Sequence, residues 1–364
     1  MILRTFGWSF GITAAGLVAA LFYRGATGLA LVAVLAVLEI SLSFDNAVVN
    51  AKVLDRMSVF WQKIFLTIGI AIAVFGMRLL FPLVIVGITA KLGPIEAVDL
   101  ALNDKEAYKA AMVSAYPMIA AFGGMFLLML FLDFVFEERD ERWLAWLETP
   151  LAKIGKLDQL SAVIAGGSLA LVAAVWAKDP GDVMISGVLG MITYILVNGL
   201  GELFSDAGLS EVETAAETSG RGGPSELAKA VGKAGFFLFL YLEVLDASFS
   251  FDGVIGAFAI STDPIIIMLG LGIGAMYIRS LTVFLVRKGT LHEYRFLEHG
   301  AHWAIGALAV CMLISIGHHV PEWITGGLGA GLIIAAFVSS VVRNRSESDG
   351  DRPTSDKELH SSGV

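Results

Sequence analysis

Two short stretches of this 364-residue chain place acidic side chains where they are costly. Residues 39–45 read Glu-Ile-Ser-Leu-Ser-Phe-Asp, and residues 246–252 read Asp-Ala-Ser-Phe-Ser-Phe-Asp. Each lies in a long apolar run, and Glu243 stands three residues before the second. Insertion into a membrane costs about 2.5 to 3.5 kcal/mol for each charge near a helix centre, so Glu39, Asp45, Glu243, Asp246 and Asp252 together would cost on the order of 15 kcal/mol if nothing compensated them. Two arginines, Arg78 and Arg279, fall in the apolar runs that follow the two motifs. With all seven groups ionised, a charge of −3 remains. A bound cation is the direct way to neutralise it, and protonation is the other; both point to transport. Salt bridges that only hold a bundle together would account for one acid per arginine and leave three.

The oxygen types narrow the cation. Carboxylate, amide and hydroxyl oxygens suit a hard cation such as Mn²⁺, Mg²⁺ or Ca²⁺. At 100° per residue, Glu39, Ser43, Asn46 and Asn50 share one helical stripe, with Asp45 about 100° to the side of Asn46. In the second motif Glu243, Asp246 and Ser250 share a stripe, while Asp252 falls nearly opposite Glu243. A straight helix cannot aim all these acids at one ion. Either the Ser-x-Ser-Phe-Asp stretch is locally unwound in both motifs, freeing carbonyls as ligands, or two pockets exist. No Cys cluster or His-x₃-His is present to suggest Zn²⁺ or Cu⁺. His318 and His319 point to different faces, and His292, His299 and His302 read as ordinary interfacial residues. Asn198, Glu202 and Asp206, at i, i+4 and i+8, read as a vestibule lining or a helix end, and Asp133 as a residue reaching water.

The elements that must position these residues are transmembrane helices. Apolar residues make up 56% of the chain and charged residues only 16%, with a mean hydropathy of +0.76, and apolar runs of about 18 or more residues recur throughout. Ten segments can be drawn: roughly 6–23, 29–51, 63–88, 114–136, 161–177, 183–204, 235–260, 264–286, 301–317 and 322–342. The expected fold is therefore all-α, a polytopic bundle of about ten helices in contact with the lipid bilayer. Eighteen Lys and Arg residues lie on the faces that include both termini, against five on the opposite loops. By the positive-inside rule this puts the N- and C-termini in the cytoplasm of a multi-pass protein of the cell membrane. Residues 1–342 read as the transporter domain. Residues 205–230 read as a flexible cytoplasmic loop, 343–364 as a disordered tail, and 91–113 as containing a short interfacial helix. Paired glycines at 123–124, 166–167 and 326–327 read as close helix contacts.

The net charge of −9 argues against a nucleic-acid partner. The single cysteine, Cys311, cannot form an intrachain disulfide and reads as a small buried hydrophobe. No phosphate-binding glycine loop, Ser-His-Asp arrangement or haem motif is found, so an enzyme is not expected, and no resident cofactor apart from the transported divalent cation.

The two motifs are an internal repeat. They match at five of seven positions by type, each is followed one helix later by an arginine, and they occupy the second and seventh segments. The offset of five helices is odd, so the second unit is inverted. Repeat 1 covers about 1–177 and repeat 2 about 183–342, a 5+5 arrangement that places the site near the midplane.

Leu38–Ala47, Leu-Glu-Ile-Ser-Leu-Ser-Phe-Asp-Asn-Ala, resembles the first signature of the TerC family of integral membrane proteins. Glu243–Pro264 resembles the second, keeping its Glu-x₂-Asp-x₅-Asp spacing and the Thr-Asp-Pro that opens the next helix. The helices with Arg78 and Arg279 match as well, over roughly residues 30–285. The long extra loops, and Gly253 where relatives often have Ser, are similar to the divergent DUF475-type branch. The resemblance implies a LysE-like fold, Mn²⁺ export as in some bacterial members, and a link to tellurite resistance as in others. Carried over by motif, it makes Glu39, Asp45, Glu243, Asp246 and Asp252 the metal or proton-coupled site, with Asn46 assisting; Ser43, Asn50, Ser250, Arg78 and Arg279 support them. The expected function is export of a divalent cation, Mn²⁺ foremost, by alternating access. The competing expectations are a tellurite or metal-stress resistance protein, an exporter of another small solute, and a non-transporting scaffold.

Overall fold

A computed structural model describes residues 2–139, 141–157, 159–219, 232–288 and 294–350. Among these residues the protein is all helical. The elements are α1 (Ile2–Leu42), α2 (Phe44–Asp55), α3 (Val59–Ile88), α4 (Pro94–Asn103), α5 (Lys105–Phe136), α6 (Ala145–Ile154), α7 (Leu160–Trp176), α8 (Pro180–Ser219), α9 (Gly232–Ile260), α10 (Pro264–Lys288), α11 (Leu297–Ser315) and α12 (Glu322–Gly350).

α1 is two arms. At its centre Arg24 leaves helical geometry and Gly25 adopts φ 66°, ψ −155°, a conformation open in practice only to glycine. The chain reverses there, as the contacts with α10 show. Ser9 hydrogen-bonds Ser280 and Tyr23 reaches Asp263, so the first arm runs antiparallel to α10. Gly270 abuts Leu35 and Gly274 abuts Glu39, so the second arm runs parallel to it.

Among the described residues, seven helices are long and apolar enough to cross a membrane, with Phe6–Ile40 counted as one. Splitting it into its two arms and adding the 17-residue apolar α7 and the acid-interrupted α9 brings the apolar arms to ten. Their outward faces carry large apolar side chains such as Phe22, Phe75, Val163, Ile185 and Val342, as contact with lipid requires. The protein is a multi-pass membrane protein.

α5 is apolar all round and lies at the centre of the larger core, with α7, α8, α9 and α11 about it. Gly123 and Gly124 let α11 approach: an added Cβ would meet Met312 at 2.9 Å and Leu313 at 3.3 Å. Gly166, Gly167 and Gly327 face open space, so these expected contacts are not made among the described residues. Among the described glycines, Gly190 of α8 makes the tightest approach to another segment's backbone, its added Cβ falling 2.2 Å from the carbonyl oxygen of Phe122. Backbone on both sides leaves no room to yield. Gly190→Ala should therefore cost about 1–3 kcal/mol of stability. Denaturant unfolding of the purified full chain checks this, with Gly166→Ala expected to match wild type.

Three expectations from composition are corrected. Residues 205–219 are not loop but continue α8 to Ser219, because the Ser-Glu-Val-Glu-Thr-Ala-Ala-Glu run is rich in strong helix formers; residues 220–230 lie outside the described residues. The first part of the tail, 343–350, continues α12, and 351–364 lie outside the described residues. The span expected at 114–136 begins at Lys105, capped by Asp104, whose side chain accepts from the amide of Ala107. The short helix expected within 91–113 is α4.

Candidate metal centre

The two motifs cross. Asn46 Nδ2 donates to Asp246 Oδ1 at 2.8 Å, and an added Cβ on Gly253 would lie 2.9 Å from Glu39 Oε2. Residue 46 thus meets 246 and residue 39 meets 253, an antiparallel register. The arginine helices share this symmetry. α3 lies along α9, with Gly69 against Glu243, and α10 lies along the second arm of α1, with Gly270 against Leu35. Each arginine helix therefore seats a glycine on the motif helix of the other half. An inverted duplication requires both the antiparallel crossing and this exchange.

The motifs differ locally. The first is interrupted at Ser43 (φ −101°, ψ 17°), between α1 and α2, while its amide still donates to the Glu39 carbonyl at 2.9 Å. α9 runs unbroken through Ser248–Asp252. The expected unwinding is present at the first motif and absent at the second. The equivalent serines differ too. Ser43 Oγ is turned to Glu39 Oε1 at 3.1 Å, whereas its counterpart Ser250 Oγ is buried without a hydrogen-bond partner.

Each arginine pairs with acids of its own half. Arg78 is ion-paired to Glu39, both almost fully buried. Arg279 reaches Asp246 at 3.3 Å and Glu243 at 3.6 Å. It also donates to the carbonyl of Phe65 at 3.0 Å and lies 4.1 Å from that ring's centroid, a cation–π contact. Gly69 makes this possible, since its added Cβ would fall 2.5 Å from Glu243 Oε1 and 2.7 Å from Arg279 Nη1. α3 is wound as π-helix over Phe65–Gly69 and Ile72–Leu80, the turns that present Phe65, Gly69 and Arg78. Such widened turns are frequent at functional sites.

Pairing does not use up the oxygens. Glu39 Oε2, both carboxylate oxygens of Glu243, Asn50 Oδ1 and Ser250 Oγ are buried with no hydrogen-bond partner. All four residues are at most 5% exposed. Buried polar atoms are nearly always satisfied, so this concentration marks a place shaped for a ligand. The side chains of Asp45 and Asp252 lie outside the described residues. Among the described residues no group of three or more His, Cys, Asp or Glu is arranged to hold a metal; the acids seen are divided between the two ends of the crossing.

The two ends of the bundle are unlike. A cavity of about 1140 Å³ opens at the end carrying Lys52, Arg56 and Arg139. Asp133, Tyr194 and Asn198 line it, and Val49 and Tyr241 bring it within a turn of Asn46 and Leu245. Asn198 is a vestibule residue; the side chains of Glu202 and Asp206 lie outside the described residues. Asp133 does not simply reach water, since it accepts from the Tyr194 hydroxyl at 2.7 Å.

At the opposite end Asp263 is buried, ion-paired to Lys105, 3.9 Å from Arg24, and accepting from Tyr23 at 3.2 Å and the Ile265 amide at 3.0 Å. Burial pushes its carboxyl up, but Lys105 and the backbone amides outweigh this and hold it below the ordinary aspartate range.

Sequence reasoning passed over Asp263 as a helix opener and did not connect it with Lys105, 158 residues away. It also missed Glu148. His299, expected at the interface, is buried, its Nδ1 3.1 Å from Glu148 Oε1, which also accepts from Trp303 Nε1 at 3.0 Å. Burial raises Glu148, and these hydrogen bonds bring it below its usual range. His302 is stacked on Phe134, and His318 meets the edge of Trp176.

Comparisons with known proteins match parts of this picture. The curated relatives include the "Putative membrane-bound redox modulator Alx" of Escherichia coli K12 and of Shigella flexneri, each 26% identical over 106 residues. The aligned stretch is 28% of this chain and spans 31%, under a third, of those relatives. No solved structure matches. A family profile described as "Protein of unknown function (DUF475)" matches residues 44–347, which holds the Asp45 end of the first motif, both arginines and the whole second motif. The chain belongs to the DUF475 family.

Proposed function

We propose that the protein exports a divalent metal cation, Mn²⁺ foremost, by alternating access through the crossing of its two acidic motifs. The observation that carries this is the set of buried, unpartnered oxygens on Glu39, Glu243, Asn50 and Ser250. They lie on the antiparallel helices that also bear Asp45, Asn46, Asp246 and Asp252. Hard oxygen donors in a water-poor bundle favour a hard divalent cation. The resemblance to the TerC family selects Mn²⁺ among these.

The positive-inside bias puts both termini, and the cavity beside Lys52 and Arg56, on the cytoplasmic side. The cation enters there, passes Tyr194 and Asn198, and reaches the acids. Rocking of the two halves about the crossing then opens the Asp263 end, and the cation leaves. Arg78 and Arg279 neutralise the acids while the site is without cargo.

The ion pairs favour a second reading, a scaffold stabilised by buried salt bridges, since Glu39 and Asp246 each face an arginine. A tellurite or metal-stress role is compatible with either. The redox role in Alx's name has no thiol pair to rest on here, because Cys311 is the one cysteine and is buried.

Mn²⁺ accumulation decides between exporter and scaffold. Cells producing the wild type should hold less Mn²⁺ than cells with an empty vector. Asp45→Asn and Asp252→Asn, at equal membrane abundance, should return the content to the vector level. Unchanged metal content across all four strains rejects the exporter.

A further inference from the structure

We propose that the crossing holds two cation seats, one at each end, with unequal supplies of oxygen. This rests on the cation-transport reading above and concerns how that site is divided.

The register supplies the separation. Glu39 meets position 253 and Asn46 meets Asp246, so the two meetings are seven residues apart on the first motif. At 1.5 Å per residue that is about 10 Å, too far for one ion to be ligated by both Glu39 and Asp246. Each end has its own arginine, Arg78 at Glu39 and Arg279 at Asp246 and Glu243. Each end also has a buried carboxylate oxygen with neither a hydrogen-bond nor an ion-pair partner: Glu39 Oε2 at one, and Glu243 Oε2 at the other. A single central site would draw these oxygens together, whereas they stand apart.

Aligning the motifs shows why the seats are unequal. Glu39 corresponds to Asp246 and Ser43 to Ser250, a shift of 207 residues. By the same shift Glu243 corresponds to Ala36, Asn46 to Gly253 and Asn50 to Ala257. At the Asp246 end, Asn46 is in contact, Glu243 is one turn away, and the register sets Asn50 beside the turn that carries Glu243. At the Glu39 end the three equivalent positions have no side-chain oxygen, and Gly253 lies against Glu39 Oε2. A hard divalent cation takes six or more oxygens. The Asp246 seat is therefore the tight one, and the Glu39 seat binds weakly, filling its coordination with water. Two divalent charges this close also repel, which separates the two affinities further.

Equilibrium binding of Mn²⁺ to the purified full chain in lipid nanodiscs tests this. The wild type should take up two ions in two resolved steps at least tenfold apart in affinity. Asp246→Asn should remove the tight step and keep the weak one. Glu39→Gln should remove the weak step and keep the tight one. Glu39→Gln with Arg78→Gln should do the same without stranding a buried guanidinium, so that a folding defect in the single variant does not hide the answer. One ion per wild-type chain, or loss of both steps on substituting either acid, overturns the two-seat arrangement and leaves a single-site transporter. Absence of any saturable Mn²⁺ binding by the wild type overturns the divalent-cation reading itself.

Discussion

Arg279→Met is expected to be the most destabilising single substitution in the bundle interior, at about 3–5 kcal/mol. The guanidinium is 3% exposed and is the ion-pair partner of both Glu243 and Asp246. Removing it strands two carboxylates that are each only 5% exposed, and strips the Phe65 carbonyl and ring of their partner. Arg279→Lys should fall between wild type and Arg279→Met, since an ammonium keeps the charge but cannot span Phe65 and Asp246 together. Adding Glu243→Gln and Asp246→Asn to Arg279→Met should restore most of the loss, because replacing a buried ion cluster by neutral groups is often near neutral. Denaturant unfolding of the purified variants measures all three. A stable Arg279→Met protein would mean that the acids are already neutral without it. The triple variant also separates the two functional readings: a stable protein that no longer exports Mn²⁺ assigns the acids to transport, and one whose Mn²⁺ export matches wild type assigns them to structure.

The duplicated motif was legible because its cost is local. Acids inside apolar runs violate a rule that any window of sequence exposes, and the following arginines repeat the violation. Ten apolar arms were legible for the same reason, and the reversal that makes the first long helix a hairpin is confined to Arg24 and Gly25. Composition misled where helix formation does not need an apolar face. Residues 205–219 carry Glu, Ala and Thr and no membrane signal, yet they extend α8.

The site was legible in its residues and not in its grouping. Helical periodicity showed that one straight helix could not aim all the acids at one ion, but it could not say which motif breaks. The first motif breaks at Ser43, whose hydroxyl meets the Glu39 carboxylate, while its counterpart Ser250 sits in a continuous helix with its hydroxyl unpartnered. The pairing of Asn46 with Asp246 spans 200 residues, and no periodicity carries such a contact. The π-helical turns of α3 and the cradle of Phe65 and Gly69 around Arg279 were invisible for the same reason. His299 shows the converse error: loose spacing made it look interfacial, while its burial is set by Glu148, 151 residues earlier.

Asp263→Asn should loosen the end of the bundle opposite the cavity. One carboxylate there joins three separate segments: the α1 hairpin through Tyr23 and Arg24, the start of α5 through Lys105, and the link between α9 and α10. Because Asp263 titrates below the ordinary aspartate range in the folded protein, its contribution is present above the unfolded pKa and lost as pH falls through the folded value. The stability gap between wild type and Asp263→Asn should therefore be constant at neutral pH and close only in strong acid. A gap that closes near pH 6 would rule out Asp263 as its source. Under alternating access this tie must part for cargo to leave, and a permanent one should stop transport. A cysteine pair at Lys105 and Asp263, oxidised in membrane vesicles, should abolish Mn²⁺ movement, and reduction should restore it. Mn²⁺ binding should persist in the oxidised form, because the seats remain open to the cavity beside Asn46. Transport that continues undiminished in the crosslinked protein would mean that this end never opens and that the cation leaves by another route.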